Sequence, residues 1–258
     1  MPVTENKMDE QNIFDNEEFF EGYTKLRGND KCLNDLLEQP AMAELLPDLT
    51  GKTVLDLGCG CGKNCVDFIR RGAERVVGID ISEKMLAVAR AKSVHKNIKY
   101  RRLSMTEISA LDMKFDLVYS SLAIHYVEDF SRLMRDICAL LNEGGILLYS
   151  QEHPIVTAAI SSENAHFNYN DSGERVSYTF SDYNRAGKRT KSWIVDGVVK
   201  YHRPMGQLLT DIIDSGLSLK KVVEPVPKRW AVDKLPTIVK EYIKPNFLII
   251  KAEKNDKG

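Results

Sequence analysis

The chain has 258 residues, 43% hydrophobic and 28% charged, with a formal net charge of −1. These proportions suit an ordinary soluble globular protein with room for a sizeable core. No basic region stands out to serve nucleic acid and no apolar run reaches membrane-spanning length, so neither partner is expected. The polar N-terminus lacks signal-peptide features, which makes cytoplasm the expected setting. An odd number of cysteines, five, is not a disulfide framework. Cys59, Cys61 and Cys65 cluster, but two of them lie in a tight glycine turn and no neighbour completes a four-ligand shell, so no metal is expected.

Residues 1 to about 17 are polar and acidic and read as a mobile arm. Phe19, Phe20, Tyr23 and Leu26 follow at helical spacing, with Arg27 ahead of Gly28. Leu33, Leu36 and Leu37 continue a helical face that is interrupted at Pro40 and resumed by Met42, Leu45 and Leu46. Val54-Leu55-Asp56-Leu57 then reads as a strand buried on both faces, and Gly58, Gly60 and Gly62 follow at every second position. Glycines there turn the chain sharply and let a ligand lie against bare backbone. Lys63 to Arg71 reads as a helix closed by Gly72, and Arg75 to Asp80 as a second strand ending in an acid. Asp80 lies 22 residues beyond Gly58, near the separation at which a doubly wound fold places its ribose-binding carboxylate. Ser82 is a good N-cap for a helix over Glu83 to Lys92.

The loop spacing narrows the ligand. A dinucleotide fingerprint wants its third glycine at the position of Lys63, and a phosphate loop wants a glycine at Leu57 and Ser or Thr at Asn64. Asp56-Leu57-Gly58-Cys59-Gly60 instead resembles motif I of the class I S-adenosylmethionine-dependent methyltransferases, an acid, one residue and a Gly-x-Gly pair. That resemblance implies S-adenosyl-L-methionine as cofactor, S-adenosyl-L-homocysteine as product, and an α/β fold. The fold would be a Rossmann-like seven-stranded, mostly parallel sheet with helices on both faces. Asp56, Gly58, Cys59, Gly60 and Asp80 would then hold the cofactor, with Ile81 and Met85 beside the adenine. The family usually has an acid where Ser104 stands; here Ser104 and the Met105 amide would serve the adenine edge. Tyr23 would meet the methionine end of the cofactor, and Arg27 the substrate.

Ile98 to Leu103 reads as the third strand and Phe115 to Ser121 as the fourth, followed by Leu122 to Val127. This stretch resembles the motif IV region of small-molecule methyltransferases, which puts Ser120 at the cofactor and Tyr126 at the substrate. The signatures of exocyclic amino, cytosine-C5 and protein-arginine enzymes are missing, which steers the acceptor away from nucleic acid and protein arginine. His125 falls just past a strand's carboxyl end, where open α/β sheets bind ligands. Leu133 to Leu141 reads as a helix closed by Asn142 to Gly145, and Ile146 to Ser150 as the fifth strand. Such alternation predicts a parallel sheet.

After Gln151 the pattern changes. Glu152-His153-Pro154 leads into a polar stretch reaching about Gly173, then residues 175 to 180 and 189 to 195 have strand composition. Asp196-Gly197 reads as a two-residue hairpin turn, with Val198 to His202 returning. Residues 151–203 are thus expected to be an antiparallel β insertion, and the family resemblance implies that it serves as a substrate lid. It would bring together Trp193 and Tyr201 as pocket walls, Arg203 for an anionic group, and His202. Together with the Glu152-His153-Pro154 run, Tyr201-His202-Arg203-Pro204 is similar to a poorly characterised bacterial branch of the small-molecule methyltransferases. Leu208 to Ile213 would form a helix. Leu219 to Val223 and Phe247 to Ile250 would be the family's reversed terminal hairpin, with residues 225–245 as a second lid element.

One methyltransferase domain over 1–258 is therefore expected: arm and cap helices to residue 50, a cofactor core over 51–150, the lid over 151–203, and a terminal helix and strands over 204–258. The expected reaction is in-line methyl transfer to a small molecule, with His125, His153 and His202 as candidate bases. A nicotinamide-dependent oxidoreductase is disfavoured by the displaced third glycine. A cofactor-binding regulatory protein and an RNA methyltransferase remain as alternatives.

Overall fold

In the computed structural model, which describes residues 11–28 and 31–255, a 3-10 turn at Ile13–Asp15 leads into α1 (Glu17–Arg27). Asn16 caps this helix by accepting the Phe19 N–H. A π-helical turn at Asn34–Glu38 runs unbroken into α2 (Gln39–Leu45), and Pro40, which has no N–H to give to that continuous helix, sits just past the π-turn. There follow β1 (Thr53–Leu57), α3 (Lys63–Arg70), β2 (Arg75–Asp80), α4 (Glu83–Lys92), β3 (Ile98–Arg102), β4 (Phe115–Ser121), α5 (Phe130–Leu140) and β5 (Leu141–Glu152). A short α6 (Pro154–Thr157) opens the insertion, which holds β6 (His166–Tyr169), β7 (Arg175–Thr179), β8 (Gly187–Trp193) and β9 (Val195–His202). The chain closes with α7 (Met205–Asp214), β10 (Leu217–Val223), α8 (Arg229–Lys234), a 3-10 segment at Pro236–Tyr242, and β11 (Phe247–Lys254).

The main sheet has the order β10-β11-β5-β4-β1-β2-β3, parallel except for β11, which runs antiparallel to both neighbours. β6 with β7 and β8 with β9 form separate two-stranded hairpins. Strand alternation divides the sheet's side chains between two cores. Leu55, Leu57, Val77 and Ile79 pack on one face with Met134 and Ile137 of α5 and Leu208 and Ile212 of α7. Val54, Val76 and Leu117 pack on the other with Met42 of α2, Phe68 of α3 and Leu86 of α4. Because both faces are covered, the central strands tolerate apolar residues at nearly every position. The strand order reverses at β1, whose neighbours are β2 and β4, and a crevice opens there at the strands' carboxyl ends. No helix among the described residues is long and apolar enough to cross a membrane.

The structure corrects several sequence readings. Only residues 11 to 17 of the expected mobile arm are described, and they pack as an ordered turn against α4, with Asp15 accepting from Ser82 Oγ at 2.6 Å and from the Lys84 N–H at 3.1 Å. Asn142 to Gly145 do not close α5; they already belong to β5, where the pairing with β4 shifts register. β6 lies in the stretch read as polar coil. The β8–β9 reversal is at Ile194, in a left-handed conformation (φ 63°), and Asp196 and Gly197 are inside β9. A tertiary contact decides this. The Ile194 side chain lodges on α1 at Gly22, where an added Cβ would stand 2.6 Å from Ile194 Cγ2.

Gly62 caps α3 at φ 77°, and a Cβ there would lie 2.3 Å from the Tyr100 hydroxyl. Gly62→Ala is expected to lower the unfolding free energy by about 1–3 kcal/mol, measured by urea denaturation.

Candidate active site

The crevice floor is the loop after β1. Gly58 and Gly60 both adopt left-handed conformations, φ 68° and 53°. A Cβ on Gly60 would meet nothing within 4 Å, so bare backbone faces open space. A Cβ on Gly58 would instead strike Ala123 Cβ at 2.6 Å, which keeps that loop and the segment after β4 in close contact. Asp80, at the end of β2, accepts the Gly60 N–H at 2.8 Å on one oxygen and the Ser82 N–H at 2.9 Å on the other. Ile81, Met85 and Met105 make apolar walls beside it, and Tyr23 and Phe14 close the cleft from the N-terminal side. Among the described residues Asp80 is the one charged side chain facing this cleft. A ribose diol finds a carboxylate there. These residues therefore fit the nucleoside of S-adenosylmethionine.

Of the residues read from the sequence as cofactor contacts, Tyr23, Gly58, Gly60, Asp80, Ile81, Met85 and Met105 come together here. Four others do not present their side chains. Asp56 is fully buried under the loop and accepts from the Cys65 thiol at 3.3 Å. The Cys59 side chain packs into the core beneath, beside Gly78 and Cys65, leaving only its loop position at the cleft. Ser104 is spent on capping the 3-10 turn at Met105–Ala110, accepting the Thr106 N–H. Ser120 donates to the Leu57 carbonyl at 2.9 Å, and its neighbour Ser121 faces the cleft instead. Strand alternation put that choice one residue away.

A second cavity of about 360 Å³ adjoins the first and shares Phe14, Tyr23, Leu122 and Tyr126 with it. Arg27, His125, Tyr126 and Trp193 line it, as read from the sequence. The aromatic rings meet edge to face: Phe14 stands 5.2 Å from Tyr23 and 6.0 Å from Tyr126, and Tyr23 stands 6.1 Å from Trp193. Leu122 is held in the left-handed region at φ 54° between the two cavities, with its N–H donated to Ser150. Glu152 lies on the floor and is ion-paired with Lys200 of β9 at 2.6 Å. Neither Glu152, Lys200 nor Phe14 was read as a site residue. The signals for them were an Ile13-Phe14 pair isolated in a polar run and the period of two in β9.

The remaining predictions fail at this second cavity, each because the side chain is engaged elsewhere. His153 caps α6 through Nδ1 and pairs with Glu224 at 2.7 Å through Nε2. His202 is bonded to the Thr157 hydroxyl and the Tyr183 carbonyl, both at 2.8 Å. Arg203 donates to the Val127 carbonyl at 2.6 Å and the Glu128 carbonyl at 2.5 Å and lies over the Phe130 ring. Tyr201 reaches out to Glu128. In β9 the inward positions are Val198, Lys200 and His202, so Tyr201 points away. That leaves His125 as the one histidine of the three on the cavity.

Burial is the largest single influence on each of these groups. It pushes Asp56 up to about 7, a shift that the Asp80 charge adds to and the Cys65 hydrogen bond opposes. Asp80 is raised by burial in spite of the Ser82 and Gly60 amides. His125 is pushed down to about 4 by burial, with Glu152 opposing and Lys200 and Arg203 adding to it. Glu152 is also penalised by burial, but Lys200 and His125 outweigh that and hold it below the ordinary carboxylate range.

Known proteins agree with this geometry. Residues 55–149 match the model of a methyltransferase domain family. A crystal structure of an S-adenosylmethionine dependent methyltransferase from Mesorhizobium loti superposes with a TM-score of 0.78 at 37% identity, covering 84% of this chain and 97% of that one. The chain belongs to the class I S-adenosylmethionine-dependent methyltransferases, and it is an enzyme whose cofactor is S-adenosylmethionine. An uncharacterized protein of Haemophilus influenzae is 36% identical over 83% of this chain and 86% of its own length. A ubiquinone biosynthesis O-methyltransferase of Bradyrhizobium is 34% identical, but only over 42% of this chain and 43% of that enzyme.

Asp80→Asn is expected to weaken S-adenosylhomocysteine binding about 10- to 100-fold by removing a charged hydrogen-bond acceptor, as read by calorimetric titration. His125 makes a second prediction, through stability. Its folded value of about 4 lies below the ordinary 6.5, so the unfolded chain takes up the proton first as pH falls. Its contribution is full above the ordinary value and disappears as pH drops through the folded one. Unfolding free energy of the native protein relative to His125→Gln should therefore grow by up to about 3 kcal/mol from the lower to the higher pH. Asp56 works with the opposite sign over the same range and cancels in this difference.

Proposed function

We propose that the enzyme methylates a small molecule held in the second cavity, by direct in-line displacement. The observation that carries this reading is the cavity itself. At about 360 Å³ it has the size of a small-molecule site, and it opens onto the cofactor cleft through shared walls. Bound S-adenosylmethionine supplies a methyl group already activated on a sulfonium. What remains for the protein is alignment and exclusion of water. Tyr23, Tyr126 and Trp193 orient the acceptor, and the 11–15 turn closes over both cavities together with the hairpin of β8 and β9. Gln11 supports that closure: its amide donates to the Gly197 carbonyl at 2.9 Å and accepts from the Val199 N–H at 2.8 Å.

In this reading the cofactor is held by Tyr23, Gly58, Gly60, Asp80, Ile81, Met85 and Met105, and residues 151–203 serve as the acceptor-side lid of a single domain. His125 is neutral at neutral pH and can accept a proton from the acceptor, although its low value makes it a weak base. A weak base suffices where the acceptor becomes acidic only as its bond to the methyl carbon forms. The likeness of the core to ubiquinone biosynthesis O-methyltransferases supports a small organic acceptor. The even charge balance supports an enzyme that does not act on nucleic acid.

Incubation of the enzyme and methyl-tritiated S-adenosylmethionine with a fractionated cell extract tests this. Label is expected in the low-mass fraction. Label confined to RNA or protein would overturn the reading.

A further inference from the structure

On the acceptor-cavity wall stands a complete receptor for an ammonium ion, two aromatic faces and a carboxylate. Its occupant belongs to the protein. The Lys200 ammonium lies 5.0 Å from the centre of the Trp193 ring and 6.0 Å from that of Tyr126, and 2.6 Å from Glu152 Oε1. Trp193, Tyr126 and Glu152 all line the cavity, while the Lys200 side chain is only 7% exposed. An aromatic face attracts a cation through its quadrupole, and does so more strongly where water is excluded. Such a cage with a carboxylate would ordinarily be read as a site for an amine or a quaternary ammonium. Here β9 delivers its own cation into that place from behind, and the period of two keeps Lys200 inward.

We propose that Lys200 is a specificity-determining residue: its ammonium fills this cation receptor as an internal ligand, so the acceptor cavity admits neutral or anionic groups and rejects ammonium groups. Two features extend the argument. First, a second cation brought to Trp193 and Tyr126 would meet Lys200 at close range, with Glu152 already neutralised. Second, the cavity's other charged side chains, Arg27 and Lys240, are both basic. A cationic acceptor is therefore opposed from both sides, whereas a hydroxyl donor still finds Glu152. One oxygen of Glu152 is engaged by Lys200; its side chain is 23% exposed, and no further hydrogen bond is made by the other oxygen among the described residues.

This rests on the second cavity being the acceptor site, yet the test reads the cavity's charge preference without any turnover. Trp193 is a built-in reporter, and the chain's other tryptophan, Trp230 on α8, is 46% exposed and removed as a signal by Trp230→Phe. In that background, loaded with S-adenosylhomocysteine, the protein is titrated with benzyl alcohol and with benzylammonium, probes of one shape that differ in charge. The unaltered cavity should bind the alcohol roughly tenfold more tightly than the ammonium. Lys200→Met should invert this preference, and Lys200→Arg, which keeps the cation, should retain it. Lys200→Met with Glu152→Gln leaves no lone buried carboxylate to impair folding, and in it the preference for the alcohol should collapse. Equal binding of the two probes by the unaltered cavity would overturn the proposal, as would a preference for the alcohol that survives in a folded Lys200→Met protein. Label found only in macromolecules, in the extract experiment above, would instead remove the small-molecule reading and leave this charge preference to be judged separately.

Discussion

Asp80 joins the parts of this enzyme that must not move apart. Its carboxylate ends β2, takes the Gly60 amide of the loop after β1, and takes the Ser82 amide where α4 begins. Two strands and a helix are thereby held around one acid whose oxygens still face the cleft. The loop it braces is left-handed at successive glycines, a conformation that costs any other residue free energy. A carboxylate that satisfies two backbone donors while remaining at a ligand site is also prepared for a diol.

Around that brace the cleft is closed from the N-terminal side. Asp15 binds the first turn of α4 next to the Asp80 loop, and Gln11 binds the backbone of β9. The same few residues thus span both cavities. Phe14 occupies the boundary between the two cavities, in contact with Tyr23 and Tyr126. Methyl transfer needs its two reactants aligned and dry, and one turn contributes to both cavities at once.

The second cavity owes its character to β9. Lys200 and His202 share the inward face of that strand, yet they do different things. His202 is absorbed into hydrogen bonds with Thr157 and Tyr183, and Lys200 is matched to Glu152 beside Trp193. A buried ion pair is costly to desolvate, and this one sits at the wall of the second cavity.

By itself the sequence determined the strand–glycine loop–helix unit, the acid ending β2, the alternation through β5 and the reversed terminal strands. The first three are written in local periodicity or in residues whose backbone freedom is unusual; the reversed terminal strands and the cofactor followed from the resemblance to class I methyltransferases. The convergence of Gly58, Gly60, Asp80, Ile81 and Met85 on one cleft was legible because the loop and the acid come from consecutive units of one motif. Only the tertiary structure decided among near neighbours. It chose Ser121 over Ser120, and Lys200 over Tyr201, because a strand's faces alternate and local sequence does not say which face meets the cleft. It moved the hairpin turn from Asp196-Gly197 to Ile194 because Ile194 has Gly22 of α1 to pack against. It separated His125 from His153 and His202 because the latter two found partners on segments distant in the chain. Those outcomes depend on what lies across a gap in space, and no local pattern carries that information.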